Sequence, residues 1–209
     1  MQEKTIRQFM EELSSKAHVP GGGAVAALSG ACAASLISMV INLTLGKEEY
    51  AAHETELRKA LAEALEARDD LLDGMRRDAE AFDAVMSSLR LPKETADEKK
   101  IRKGRMQEAF IAAASEPMEA MIRGRKLLDM VRPLIPITNP NVVSDLGLAA
   151  INAVACSKGA LLNVRINLPS IKNEEFVRDA ESWVSETQDG IAELLNATLD
   201  DIYRVMRKE

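Results

Sequence analysis

The segment HVPGGGAVAALSGACAASLISMVINLTLGK, residues 18–47, constrains the fold more than any other part of the chain. Residues 24–45 carry no charged side chain, so they must form either a helix packed on most sides or a membrane span. The run is rich in Ala, Ser and Gly and closes with Asn42 and Thr44, which makes it too weakly hydrophobic to prefer lipid. A central helix is therefore expected, about 33 Å long at ~1.5 Å per residue. Its small residues, Ala26, Ala27, Gly30, Ala31, Ala33 and Ala34, let neighbouring backbones approach closely.

The remaining periodicity is helical. Ile6, Phe9, Met10 and Leu13 give the N-terminal segment MQEKTIRQFMEEL an apolar face. From Glu54 to Leu89, apolar residues recur in steps of three and four, as one long helix or two in line. Pro92 stops that run, and Thr95 with Glu98 forms a capping box that starts the next. Pro117 is expected to kink or end this helix before a further stretch to about Val131. VRPLIPITNPNVVSD, with three prolines and two asparagines, is read as a loop. Residues 144–168 then return to helical spacing, with a break expected near Gly159, and their small-residue texture echoes that of 24–45. Asn173 caps a final helix whose face runs from Phe176 through Trp183 and Ile191 to Val205. No period-two strand pattern survives. The expected fold is all-α, a bundle of long antiparallel helices forming a single domain over residues 1–209.

Composition narrows the function. A net charge of −6 with both signs interspersed offers no basic footprint for nucleic acid. Cys32 and Cys156 stand singly in apolar runs, and His18 and His53 are the only histidines. That pattern argues against a zinc site or a disulfide framework and fits a reducing cytoplasm. The N-terminus lacks the pattern of an export signal.

Three groups of residues could carry chemistry. Gly21, Gly22 and Gly23 precede a helix N-terminus whose first amides lack intrahelical partners, so an anion could approach the backbone there; a tight interhelix turn would use the same glycines. Of the carboxylates on the 54–89 helix, most belong to a solvated face balanced by Arg68, Arg76 and Arg77. Asp78 stands apart, one turn before Phe82 and beside the inward-facing Ala79. A partly buried carboxyl there can have its proton affinity raised and exchange protons with a ligand. Asn139, Asn141, Ser144 and Asp145 cluster before a helix, where they could simply make turns and caps. Asn163 and Asn167 lie one helical turn apart with Arg165 pointing elsewhere. They offer amides for a heterocycle and a cation for a carboxylate, or else tie helices together.

PGGGAVAALSGACAASLISMVINLTLGKEEY, DAEAF at 78–82, RLPKET at 90–95, NPNVVSDLG at 139–147 and GALLNVRINL at 159–168 together resemble the cyclodeaminase domain of the formiminotransferase-cyclodeaminase family, which includes stand-alone methenyltetrahydrofolate cyclohydrolases. The resemblance runs from the first helix to the last. It implies an all-helical cytoplasmic homodimer with no permanently bound cofactor or metal, acting on a tetrahydrofolate derivative, polyglutamylated or not, with no nucleic-acid or membrane partner. The implied reaction closes 5-formiminotetrahydrofolate to 5,10-methenyltetrahydrofolate with loss of ammonia. The alternatives are hydrolysis of the methenyl bridge to 10-formyltetrahydrofolate and non-catalytic folate binding or channelling.

Carried over by motif, the resemblance makes Asp78 the leading acid/base, with Asp145 and Ser144 as further catalytic candidates. It assigns substrate contacts to Gly21, Gly22, Gly23, Lys47, Asn139, Asn141, Asn163, Arg165 and Asn167. The position after the glycines, usually Ser or Thr in the family, is Ala24 here.

Overall fold

In a computed structural model, residues 4–208 are described. The expected N-terminal helix is α1, Ile6–Leu13, started by a Thr5–Gln8 capping box; the first three residues of that expectation lie outside the described range. Of its apolar face only Phe9 is buried, and Ile6 and Met10 remain exposed.

The chargeless segment forms α2, Gly22–Asn42, beginning two residues earlier than the charge pattern indicates. A 3₁₀ turn, Glu48–His53, leads into α3, Glu54–Leu89, a single unbroken helix of 36 residues. The predicted capping box is present: the Thr95 side chain accepts from the Glu98 amide, and the Glu98 carboxylate accepts from the Thr95 amide. It opens α4, Ala96–Leu134.

Pro117 does not end α4. Its ring removes the N–H that would bond the carbonyl of Ala113 one turn back, and the side-chain amide of Asn167 donates to that carbonyl at 2.9 Å instead. The helix continues past Pro117 because a neighbour supplies the missing donor. The proline-rich stretch is less of a loop than expected: α4 takes its first residues, and short 3₁₀ turns occupy Ile135–Ile137 and Pro140–Val142.

Helix α5, Val143–Asn167, passes through Gly159 without a break. A Cβ at Gly159 would stand 3.3 Å from Ala26 Cβ, so the glycine marks close packing on α2. The single final helix is in fact two, α6, Glu174–Gln188, and α7, Ile191–Arg207. They are split at Gly190, whose φ of +60° belongs to the left-handed region that suits glycine. Asn173 caps α6 as expected, accepting from the Phe176 amide, while Trp183 on the predicted apolar face is half exposed.

Helices α2, α3, α4 and α5 form an antiparallel ring in which each packs on the next and α5 closes on α2, with α6 and α7 laid against α4 and α5. The two small-residue segments are thus partners. Ala33, Ala34, Ile37, Ile41, Met121, Leu128, Ala153, Cys156 and Ala160 fill the centre with essentially no exposure. Packing at α4 against α5 is tight: a Cβ on Gly124 would sit 2.7 Å from the Ser157 nitrogen and 2.8 Å from the Ala153 oxygen. Both α2 and the Pro140–Ser170 stretch are long and apolar enough to cross a membrane by length and composition alone; here they pair as the central helices of the bundle.

Candidate active site

The antiparallel arrangement sorts the predicted site residues into two groups at opposite ends of the α2/α5 pair. At one end lie Gly21, Gly22, Gly23, Asp78, Asn163, Arg165 and Asn167. At the other, the backbone N–H of Asn139 donates to Thr44 Oγ1 at 3.0 Å. That bond fixes the turn carrying Asn139 and Asn141, and with it the first turn of α5 that bears Ser144 and Asp145, against the C-terminal end of α2, near Lys47. With α2 spanning 21 residues, the two groups are about 30 Å apart within one chain.

The first group is built around the α2 N-terminus. Gly21 is the N-cap and provides no side-chain cap, so the amides of the first turn face outward without an internal acceptor. Asp78, from α3, presses against this turn: a Cβ on Gly23 would lie 2.6 Å from Asp78 Cγ and Oδ2. Glycine at 23 is therefore the condition for the Asp78 carboxyl to sit where it does. The Asn163 amide stands close to Gly22, 3.6–3.7 Å from where a Cβ would be, and donates to the Gly159 carbonyl at 3.1 Å.

A half-open cleft between α2, α3 and α4 is lined by Gly23, Ala27, Asp78, Arg77, Glu116 and Pro117, among others. Its interior has room for about one water molecule, roughly 10 Å³, far below the size of a ligand pocket, and its mouth is open to solvent. Asp78 has no hydrogen-bond or ion-pair partner among the described residues. Burial pushes its carboxyl above the usual range, and the negative charge of Glu116 pushes it the same way.

Arg77 was expected on the solvated face and is not there. Arg77 Nε donates to Glu116 Oε2 at 2.8 Å, with both side chains mostly covered. Asp70 accepts from Arg123 at 2.6 Å, and Arg123 also holds Glu119 at 2.8 Å. Burial would lower the Arg123 guanidinium, but the Asp70 hydrogen bond and charge hold it above its ordinary value. Arg68 and Arg76 do behave as solvated charges, paired with Asp69 and Glu80. Glu116, absent from the sequence expectations, is the principal addition. The signal for it was the matching spacing of Asp70, Gly74, Arg77 and Asp78 on α3 with Glu116, Ala120 and Arg123 on α4, which places small residues and charges on two facing stripes.

Asn167 joins the first group but acts structurally, its amide donating to the Ala113 and Asn163 carbonyls. Arg165 is exposed beside it. Ala24 is 1% exposed and packs in the core. In the second group, Asn139 is buried and accepts from the Asn141 amide at 3.1 Å, while Ser144 and Asp145 cap nothing: they lie in the first turn of α5, whose N-cap is Val142. Lys47 and Asn141 are exposed. Among the described residues, no three His, Cys, Asp or Glu side chains converge as a metal-holding group.

The fold and site define an antiparallel helical bundle with a partly buried carboxyl set against a glycine-opened helix end, and the whole chain resembles known proteins. Residues 5–186 match the family model described as formiminotransferase-cyclodeaminase. The methenyltetrahydrofolate cyclohydrolase of Methylorubrum extorquens is 37% identical over 206 residues, covering 99% of this chain and 97% of that protein. The formimidoyltransferase-cyclodeaminase of Gallus gallus is 29% identical over 182 residues, covering 87% of this chain and 34% of that protein. The crystal structure of formiminotetrahydrofolate cyclodeaminase from Thermotoga maritima superposes with a TM-score of 0.87 at 28% identity, covering 98% of each chain. The chain belongs to the formiminotransferase-cyclodeaminase family.

Proposed function

We propose that this chain is a folate one-carbon enzyme of the cyclodeaminase/cyclohydrolase type, with Asp78 moving the proton at the reacting carbon. The observation that carries the assignment is the Asp78 carboxyl: partly buried, without a partner among the described residues, and admitted to the α2 N-terminus by Gly23. Proton transfer at nitrogen and positioning suffice for either reaction, so no metal or permanently bound cofactor is invoked.

Hydrolysis of 5,10-methenyltetrahydrofolate is the preferred reaction, supported by the full-length similarity to the Methylorubrum extorquens cyclohydrolase. The oxygen of water bonds to the methenyl carbon as one of its protons leaves to solvent. The C–N5 bond then breaks while the Asp78 carboxyl donates its proton to N5, and the hydroxyl proton passes to the Asp78 carboxylate as the formyl C=O forms, restoring the acid. Cyclodeamination is the second reading, supported by the Thermotoga maritima structure. There N10 adds to the formimino carbon of 5-formiminotetrahydrofolate, the N10 proton passes to the imino nitrogen, and Asp78 protonates that nitrogen as it leaves as ammonia.

The active form is proposed to be a cytoplasmic homodimer. The outer face of α2 is uncharged and carries Cys32, Met39 and Leu43, and α5 beside it exposes Leu148, Ile151, Leu162 and Ile166. Such an apolar surface, interrupted on α5 by Lys158, is what a second copy would cover. A two-fold axis across the middle of this face would set Lys47, Asn141, Ser144 and Asp145 of one copy beside Asp78 of the other, uniting the two groups of site residues and extending the small cleft. The folate tail would then find Lys47 or Arg165 as a cation.

The test follows 5,10-methenyltetrahydrofolate by absorbance with the purified protein. Accelerated disappearance by hydrolysis supports the cyclohydrolase; appearance from the 5-formimino compound with ammonia release selects the cyclodeaminase. Neither rate above the uncatalysed control would overturn the enzyme assignment.

A further inference from the structure

We propose that Glu116, clamped by Arg77, is a positioning residue that divides the site between two carboxylates, Glu116 holding the negative charge and Asp78 the proton. The inference rests on the acid/base role proposed for Asp78 and adds the group that sets it.

Arg77 and Asp78 are sequence neighbours, and neighbours on a helix point about 100° apart. Asp78 turns toward α2, where Gly23 receives it. Arg77 turns toward α4, where its Nε meets Glu116 Oε2 at 2.8 Å and its Nη2 reaches back to the Asp70 carbonyl at 3.4 Å. The Arg77 guanidinium is therefore committed to Glu116, and Asp78 is left without a cation among the described residues. Two carboxylates lining one cleft, only one of them ion-paired, cannot both ionise cheaply. The unpaired one takes the proton.

Glu116 is also held from behind. It directly precedes Pro117, and the Asn167 bond to Ala113 fixes that turn of α4 to α5. The other charges around the cleft are accounted for. Helix α2 contributes none, α3 contributes Asp70 and Asp73 besides Arg77, together with Arg76, which pairs with Glu80 and feels the charges of Asp73 and Glu116, and α4 contributes Glu119 and Arg123, which pair with one another and with Asp70 at the rim. On α5, Lys158 and Arg165 are exposed. Glu116 is thus the charge that acts on Asp78 from across the cleft.

The test reads Asp78 directly. With ¹³C-labelled aspartate, NMR titration of the full protein, assigned by loss of the signal in Asp78→Asn, should give a midpoint that moves to lower pH in Glu116→Gln and returns toward the native value in Glu116→Asp. Should Glu116→Gln fail to fold, Arg77→Met serves instead and should move the midpoint to higher pH, since the negative charge of Glu116 is then no longer offset by a cation at Asp78's neighbour. An unchanged midpoint overturns the inference. In the same Glu116→Gln protein, the matching limb of the kcat/KM profile should move with the midpoint, and kcat should fall about tenfold near neutral pH with little change in KM. A midpoint that moves while the rate profile stays fixed would leave the Glu116 coupling standing and remove the catalytic role of Asp78.

Discussion

The Asn167 side-chain amide lies 2.9 Å from the carbonyl of Ala113, the same carbonyl that Pro117 leaves without its helical donor. A proline within α4 is thereby repaired by a residue on α5. Asn167→Ala should cost about 1–3 kcal/mol in urea unfolding, the range for leaving a buried acceptor unsatisfied. In a Pro117→Ala background the backbone N–H returns, and the same substitution should cost markedly less. Equal costs in both backgrounds would show that Asn167 does not serve the proline gap.

Gly23→Ala puts a methyl where the Asp78 carboxyl now sits. The carboxyl is the end of a short side chain and can rotate away, so the fold should survive with a near-native melting temperature. Its displacement by about an ångström should lower kcat/KM roughly a hundredfold. A variant with full activity would separate Asp78 placement from catalysis.

Asp78 also predicts a pH signature in stability. Its folded carboxyl binds protons above the usual 3.8, so through that window the folded state holds more protons than the unfolded one, and stability falls as pH rises. Asp78→Asn lacks this loss. Urea melts from about pH 3 upward should show the variant gaining on the wild type as pH increases and then levelling, while turnover is lost at every pH. A constant difference would mean the carboxyl titrates normally.

Leu162 is 69% exposed and Ile151 is 47% exposed on the outer face of α5. If that face joins two copies, Leu162→Asp combined with Ile151→Asp should yield a folded monomer by sedimentation, with native helicity and activity reduced at least tenfold. Full activity in a verified monomer would place the whole site within one chain.

The helices were legible because each long one carries its own signals: the chargeless run of α2, the Thr95–Glu98 box, the Asn173 cap. What escaped was set by neighbours. Pro117 reads as a break until Asn167, fifty residues later, is known to lie beside it. The α6/α7 split was hidden because apolar spacing resumes after Gly190 almost in phase. Among the site residues, Asp78 was legible from its place beside Ala79, yet Arg77 read as solvated since nothing local says that Glu116 faces it. The two glycine- and asparagine-rich loops read as parts of one site because sequence motifs carry no record of which end of a helix they occupy.

Cys156 packs without exposure, its thiol donating to the Ala120 carbonyl at 3.3 Å and pushed up by burial to about 12, whereas Cys32 opens onto the outer face of α2. Thiolate chemistry needs both deprotonation and access, so the folded chain presents a single addressable thiol, set among the apolar residues of α2. Nature has supplied a labelling handle: a spin or fluorescent probe on Cys32 reports whether that surface meets water or another copy, without a single residue being changed.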